Sequence, residues 1–367
     1  MDLLFVIISI LMITVLIVVH EFGHYLAAKY YGFQTPVFGI GLPFGPSIDL
    51  FEKWGTKFKF YWALIGGFVA IPELGDETDP DSIKDLELKQ PLREFPVHQR
   101  AVVASGGIVF NILFAFLLAI VMAATIGLPT AVPSNTVAGF AETSIAKQAG
   151  LELGDAIIQV NSMKITTGEE LQKAIKAYSY QDITLTYQRE KQSFTKQFYS
   201  EGSLGIVLGH SKEYQQYGFK PLTWITEAFK FTATTLLGML ISVVAIFASL
   251  FSKIASLFGA QIGPAAVELG QVKGIVGIVQ IISQDIKSNA ILLLEFAILL
   301  SLNLAVINVL PIPALDGGHL VFMAYEAIAG KKADEKILNG AMQVGFIFLL
   351  SVIALTTIND IKTWIWH

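Results

Sequence analysis

The chain has 367 residues, 53% of them hydrophobic and only 15% charged, with a net charge of −5 and no cysteine. A soluble globular chain carries about 25% charged residues, so the composition excludes an ordinary soluble globule, and the net charge gives no basis for binding nucleic acid. Without cysteine there is no disulfide and no thiolate metal site, so any metal must be held by His, Asp or Glu.

Leu3–Val19 carries no charge and leads directly into His20. A membrane span needs about 20 mostly apolar residues, so residues 1–31 are predicted as the first span. No Lys or Arg precedes the run and no small-x-small site follows it, which argues against a cleaved signal peptide. Residues 32–100 are rich in Gly and Pro, then charged over Glu73–Arg93. Within them Phe58–Val69 starts with strand-like alternation and turns apolar through Gly66 and Gly67. Ala101–Ala141 lacks charge, and a second span is placed at 101–128. Residues 211–287 hold the uncharged run Thr232–Phe251 and then the glycine-containing stretch Gly259–Lys287. A third span covers 288–320, its apolar run broken only by Glu295, and a fourth covers 338–360.

Between the second and third apolar stretches the character changes. In 129–210 the apolar runs shorten and the charges return. The order is a turn at Gly150, a strand over Ile157–Val160, a second turn, the helix around Glu169-Glu170-Leu171, and the strand Ile183–Arg189. With "AGLELGDAIIQVN" and "TGEELQKAI" this segment resembles a PDZ domain, and Gly202–Leu208 is similar to the extra strand of the permuted bacterial type. The resemblance implies peptide binding by strand addition at a sheet edge.

His20-Glu21-Phe22-Gly23-His24 is an HExxH sequence. Positions i and i+4 share a helix face, so both imidazoles can reach one ion, and Glu21 can act as general base on water activated by it. An acid at the centre of a membrane helix costs about 2.5 kcal/mol or more, so its presence at the end of an apolar helix points to function. A catalytic zinc keeps three protein ligands and one open position. Asp316 is the leading candidate for the third ligand, because Pro311 and Pro313 break the third apolar run just ahead of it. His319, one helical turn later, is the alternative.

HExxH together with Asn308-x-x-Pro311-x-Pro313-x-Leu315-Asp316-Gly317-Gly318, and with Gly107-x-x-x-Asn111 in the second span, resembles the site-2 protease family of intramembrane zinc metalloproteases, its bacterial RseP type above all. The resemblance implies a polytopic α-helical membrane protein with four transmembrane helices, a membrane re-entrant β-element at 58–69 and one inserted PDZ-like α+β domain. It implies one catalytic Zn2+ on His20, His24 and Asp316, with Glu21 activating water. Asn308 would hold or polarise the substrate backbone, helped by Asn303, with Pro311, Pro313, Gly66 and Gly67 as further substrate-binding candidates. Substrates would be single-pass membrane proteins, such as membrane-bound anti-sigma factors or remnant signal peptides, trimmed first by a site-1-type protease. The chain departs from the family at Gly274-Ile275-Val276-Gly277-Ile278, where many relatives carry a proline, and in having one PDZ-like domain where some have two.

The ligands must meet at one depth, so the first and third spans must run in the same direction. The second span alone between them satisfies this. A crossing by Thr232–Phe251 would reverse the third span, so that segment is expected to lie along the membrane or against the core. Lys53, Lys57 and Lys59 on one side and Lys331, Lys332 and Lys336 on the other place both flanking segments in the cytoplasm. Both termini and the PDZ-like domain are then extracytoplasmic, and the site lies near the cytoplasmic side of a bacterial cytoplasmic membrane. Two rival classes stand beside the protease. One is a non-catalytic scaffold that keeps the metal motif as a relic. The other is an ion transporter using His20, Glu21 and Asp316 as a proton relay; it does not account for Pro311-x-Pro313 or the inserted domain.

Overall fold

The computed structural model describes residues 3–74, 94–141, 143–190, 192–257 and 291–365. They form two compact units, Met1–Thr125 with Phe219–His367, and Ile126–Gly218.

The chain starts with α1 (Leu3–Tyr31), apolar on all sides up to His20. Two strands follow, β1 (Val37–Lys53) and β2 (Thr56–Val69). β1 is bent in the middle. Leu42 pairs with Ala63, yet Ser47 already pairs with Tyr61. At this bend Gly41 and Gly45 take φ of 94° and 83°, values that cost glycine nothing. The first half of β1 pairs with the end of β2 on one side and with its start on the other, and the second half of β1 folds back on the far side of that start. This sheet runs along α1. Lys29 Nζ donates to Trp54 O at 2.8 Å at one end, and Thr14 Oγ1 donates to Leu64 O at the other. Those helix positions are about 22 Å apart at 1.5 Å per residue. The element expected at 58–69 is thus one strand of a larger sheet set beside the apolar helix.

α2 (Val97–Thr125) runs antiparallel to α1, with His24 meeting Val103 and His20 meeting Asn111. The helices touch backbone to backbone. A Cβ added at Gly23 would strike the Gly106 carbonyl, and one at Gly106 would strike that of Gly23. Such close approach is how helices associate in lipid, where apolar side chains gain little by leaving it.

The second unit contains β3 (Leu128–Phe140), α3 (Ile145–Gln148), β4 (Ala156–Val160), β5 (Met163–Lys164), α4 (Gly168–Ala177), β6 (Gln181–Arg189), β7 (Gln192–Ser200) and β8 (Ile206–Gln215). Its strands follow the order β7-β6-β4-β3-β8, with β5 beside β4. Val137, Ile157, Leu171, Ile183 and Leu185 form the centre of a buried core. α4 starts on a capping box between Thr167 and Glu170. Asp155 is fully buried, accepts from Glu152 N, and binds the Arg189 guanidinium at 2.7 and 2.8 Å. Burial pushes this carboxyl up, but the Arg189 and Glu152 hydrogen bonds outweigh it and hold it below the usual range. The expected strand–helix–strand order is present, and β3 and β7 extend it.

Among the described residues the first unit has four more α-helices: α5 (Pro221–Leu257), α6 (Ile291–Val309), α7 (Asp316–Ala329) and α8 (Glu335–Ile365). Ser301 Oγ donates to Asn111 O at 2.8 Å. From there α6 heads toward the N-terminal end of α2, so it runs parallel to α1, as the shared depth of the ligands requires. The third predicted span is broken after Val309 by Leu310–Leu315, and α7 begins at Asp316.

Residues 211–287 were expected to form a membrane-associated amphipathic or re-entrant segment, and within them Pro221–Leu257 is one continuous helix of 37 residues, about 55 Å long, against the roughly 30 Å of a bilayer core. Phe229 packs edge-on against Phe116 of α2. Among the described residues, five helices rather than four are long and apolar enough to cross a membrane. The apolarity of Thr232–Phe251 thus belongs to a full helix. The stretch Gly274–Ile278 lies outside the described residues.

Candidate metal centre

α1 carries His20 and His24 one turn apart, and both are buried. Their Nε2 atoms are 3.2 Å apart. Asp316 Oδ2 lies 3.3 Å from His20 Nε2 and 3.4 Å from His24 Nε2. A tetrahedral ion with bonds of about 2.0–2.1 Å needs ligand atoms about 3.3–3.4 Å apart, so the triangle has the size that zinc requires. Asp316 Oδ2 is buried and accepts no conventional hydrogen bond among the described residues. A buried acceptor in that state is costly, and a cation would remove the cost. Among the described residues His20, His24 and Asp316 are the group able to hold a metal.

Local structure explains why Asp316 reaches the histidines. The loop after α6 turns through Ala314, whose φ is 77°. A Cβ at Gly317 would strike the carbonyls of Val309 and Leu310, and one at Gly318 would strike that of Ile312. The two glycines thus let α7 start hard against the end of α6. From outside, α8 supports the loop: Ala314 N meets Met342 Sδ, and Gly345 leaves room for the Pro313 carbonyl.

α2 forms the floor under the imidazoles. His24 Nδ1 is 2.8 Å from Val103 O, and His20 Nδ1 is 3.0 Å from the Asn111 amide. Between them, a Cβ at Gly107 would lie 2.5 Å from His20 Cε1. Val103, Gly107 and Asn111 are spaced i, i+4, i+8 on one helix face. The sequence shows Gly107 and Asn111 as a motif but not their task.

Glu21 faces the sheet, and its Oε2 accepts from Val69 N at 3.2 Å. A cavity of about 170 Å³ opens here, lined by His20, Glu21, His24, Gly67, Asp316 and His319 among others. His319 lines it without belonging to the metal-holding group. A neighbouring cavity of about 520 Å³ shares Leu74 and His319 and contains the Arg100–Glu326 ion pair at 2.6 Å.

The other candidates are more scattered. Asn308 is buried in the last turn of α6 and does not line the cavity around the histidines, and Asn303 is half-buried. Pro311 is exposed, whereas Pro313 packs against α8. Gly66 takes φ 142° against the Leu42 side chain, and Gly67 borders the cavity beside Glu21. Sequence reading missed Val69 N and Val103 O. Both are backbone groups, and no residue type announces them.

The family model for peptidase family M50 matches residues 8–352. A protein of Nostoc sp. named as a zinc metalloprotease is 32% identical, over 94% of this chain and 92% of its own length. The membrane metalloprotease ARASP, chloroplastic, of Arabidopsis thaliana is 30% identical, over 93% of this chain and 75% of its own length. Among solved structures, the PDZ domain of the SdrC-like protein from Listeria monocytogenes covers 20% of this chain and 87% of its own, at 12% identity and a TM-score of 0.18.

Proposed function

The chain belongs to peptidase family M50, a family of membrane zinc metalloproteases, and from that premise we propose that it hydrolyses a peptide bond within the transmembrane segment of a single-pass membrane protein. The observation that carries the proposal is the 3.2–3.4 Å triangle of His20, His24 and Asp316 on otherwise apolar helices.

In this reading His20, His24 and Asp316 hold a single zinc ion. Bound there, zinc would supply Lewis acidity to the scissile carbonyl and lower the pKa of water toward about 7. Glu21 removes the proton from the attacking water and delivers it to the leaving amide nitrogen. Asn308 steadies the oxyanion side of the substrate, which requires the end of α6 to meet the bound chain. Helical backbone in lipid satisfies its own hydrogen bonds, so the substrate must unwind before its carbonyl can be attacked.

The unwound segment pairs with the outer edge of β2. That edge already faces α1, where Leu64 O takes Thr14 and Val69 N is held by Glu21. Strand addition therefore transfers Val69 N–H from the Glu21 carboxylate to a substrate carbonyl, which couples docking to the state of the base. The groove between α4 and β8 in the inserted domain, about 310 Å³ and lined by Leu171, Ile175, Ile206, Leu208 and His210, receives an extended peptide or filters by size. With the lysine-bearing loops in the cytoplasm, this domain is extracytoplasmic in a bacterial inner membrane. It then meets substrates such as anti-sigma factors or remnant signal peptides after another protease has trimmed them.

The test is cleavage of a model single-pass substrate by the purified chain, with zinc measured in the same samples. Glu21→Gln is expected to lower the rate by at least about 10²–10⁴-fold while zinc is retained. Asp316→Asn is expected to lose both. Wild-type rates from Glu21→Gln would sink the mechanism.

A further inference from the structure

The two histidines are supported unequally on the side away from Asp316. An imidazole that gives a metal its Nε2 lone pair carries its proton on Nδ1, and in a buried site that proton needs an acceptor. For His24 the acceptor is settled, because Val103 O, at 2.8 Å, is a backbone carbonyl and can only accept. For His20 the neighbour is the side-chain amide of Asn111, with Nδ2 at 3.0 Å from Nδ1. In that orientation the amide donates, the ring proton moves to Nε2, and the lone pair facing Asp316 is lost.

The nitrogen and oxygen of an amide are interchangeable in shape, so the hydrogen-bond network decides its orientation. Asn111 is fully buried, and its Oδ1, pointing away from the ring, has no partner among the described residues. Nothing there holds the amide in place, so His20 sets its direction. Its backbone is held from elsewhere: Ser301 Oγ donates to Asn111 O from α6, the helix that leads to Asp316. One turn earlier, Gly107 leaves room for both rings.

We infer that Asn111 is a positioning residue which turns Oδ1 toward His20 Nδ1–H and so fixes His20 in its metal-binding tautomer. This rests on the metal centre proposed above. α2 then gives one acceptor to each histidine, Val103 O to His24 and Asn111 Oδ1 to His20, two turns apart on one face. Asn111 does not touch the substrate; it acts through the ring it orients.

The experiment is zinc affinity of the full chain in detergent, measured by chelator competition for wild type, His24→Ala, Asn111→Leu and Asn111→Asp. Asn111→Leu removes the acceptor at similar volume and should weaken zinc binding by about 10–100-fold. Asn111→Asp keeps an acceptor and should bind at least as tightly as wild type. Equal zinc binding by wild type and His24→Ala would overturn the metal centre itself, whatever Asn111 does. If wild type binds and His24→Ala does not, wild-type affinity in Asn111→Leu overturns the inference, as does an equal loss in the two Asn111 variants. Nitrogen-15 spectra of histidine-labelled, zinc-loaded wild type give a test that needs no Asn111 variant. His20 Nδ1 should carry the proton, and a bare Nδ1 would refute the assignment.

Discussion

In the inserted unit, Ile157, Leu171, Ile183 and Leu185 bury whole side chains against one another, whereas in the helical unit α1 and α2 meet at Gly23 and Gly106 with no side chain between them. The first arrangement uses the hydrophobic effect, which acts wherever apolar surface leaves water. The second cannot, because lipid is as apolar as leucine, so specificity falls to small residues and to the few polar groups that find one another. In the helical unit those polar groups are also the ones proposed to carry the chemistry. His20, His24, Asn111, Ser301 and Asp316 bring α1, α2, α6 and α7 together, so the contacts that define the packing also define the site. A change to the site should therefore be felt in function, and a change to the inserted core in stability.

The largest expected effect breaks the helical side of this contrast. Gly107→Val places carbon where the imidazoles lie. Zinc content and cleavage should both fall to background while proteolytic protection of residues 126–218 stays unchanged. Retention of zinc would show that the floor of the site yields more than backbone packing allows.

Next comes the inserted domain. Leu171→Ala removes a fully buried side chain and should cost about 2–5 kcal/mol. Hydrogen exchange on the full chain should show the loss confined to that unit, with zinc still bound. A smaller effect, about 1 kcal/mol, is expected from Thr167→Ala, which removes the side-chain acceptor for Glu170 N at the start of α4. Exchange of the first-turn amides of α4 reads it.

The smallest effect within an ordinary working range is on acidification. Asp155 is held below its usual range in the folded domain, so its contribution to stability is complete above the unfolded carboxylate value, about 3.9, and is lost as pH falls through the folded value. Stability of the domain should be flat in this respect from pH 7 to 5 and decline only below about 4. Arg189→Met should lower stability at neutral pH and shrink that decline, with its onset unchanged because the unfolded value sets it, since the guanidinium that depresses Asp155 is gone.

Family membership decides among the three sequence readings in favour of the protease over the scaffold and the transporter. Much of this was legible in the chain itself. HExxH spacing follows from helix geometry, and the apolar runs follow from bilayer thickness. The inserted domain follows from the return of charge and turn residues. α5 was less legible. Its uncharged run is equally compatible with crossing, lying flat or packing inside; the parity argument favoured a segment along the membrane or against the core, and the structure adds that the segment is one long helix.

Sequence alone determined which residues could bind a metal, because without cysteine the donors reduce to a handful of His, Asp and Glu in apolar surroundings, where ionisable groups are costly. Tertiary structure decided how they meet. Nearly 300 residues separate His20 from Asp316, and the close glycine contacts of α2 and α7 are among the features that let the three candidate ligand atoms come to 3.2–3.4 Å. It also placed Val69 N and Val103 O at the site. A backbone amide or carbonyl is the same in every residue, so only packing can single one out.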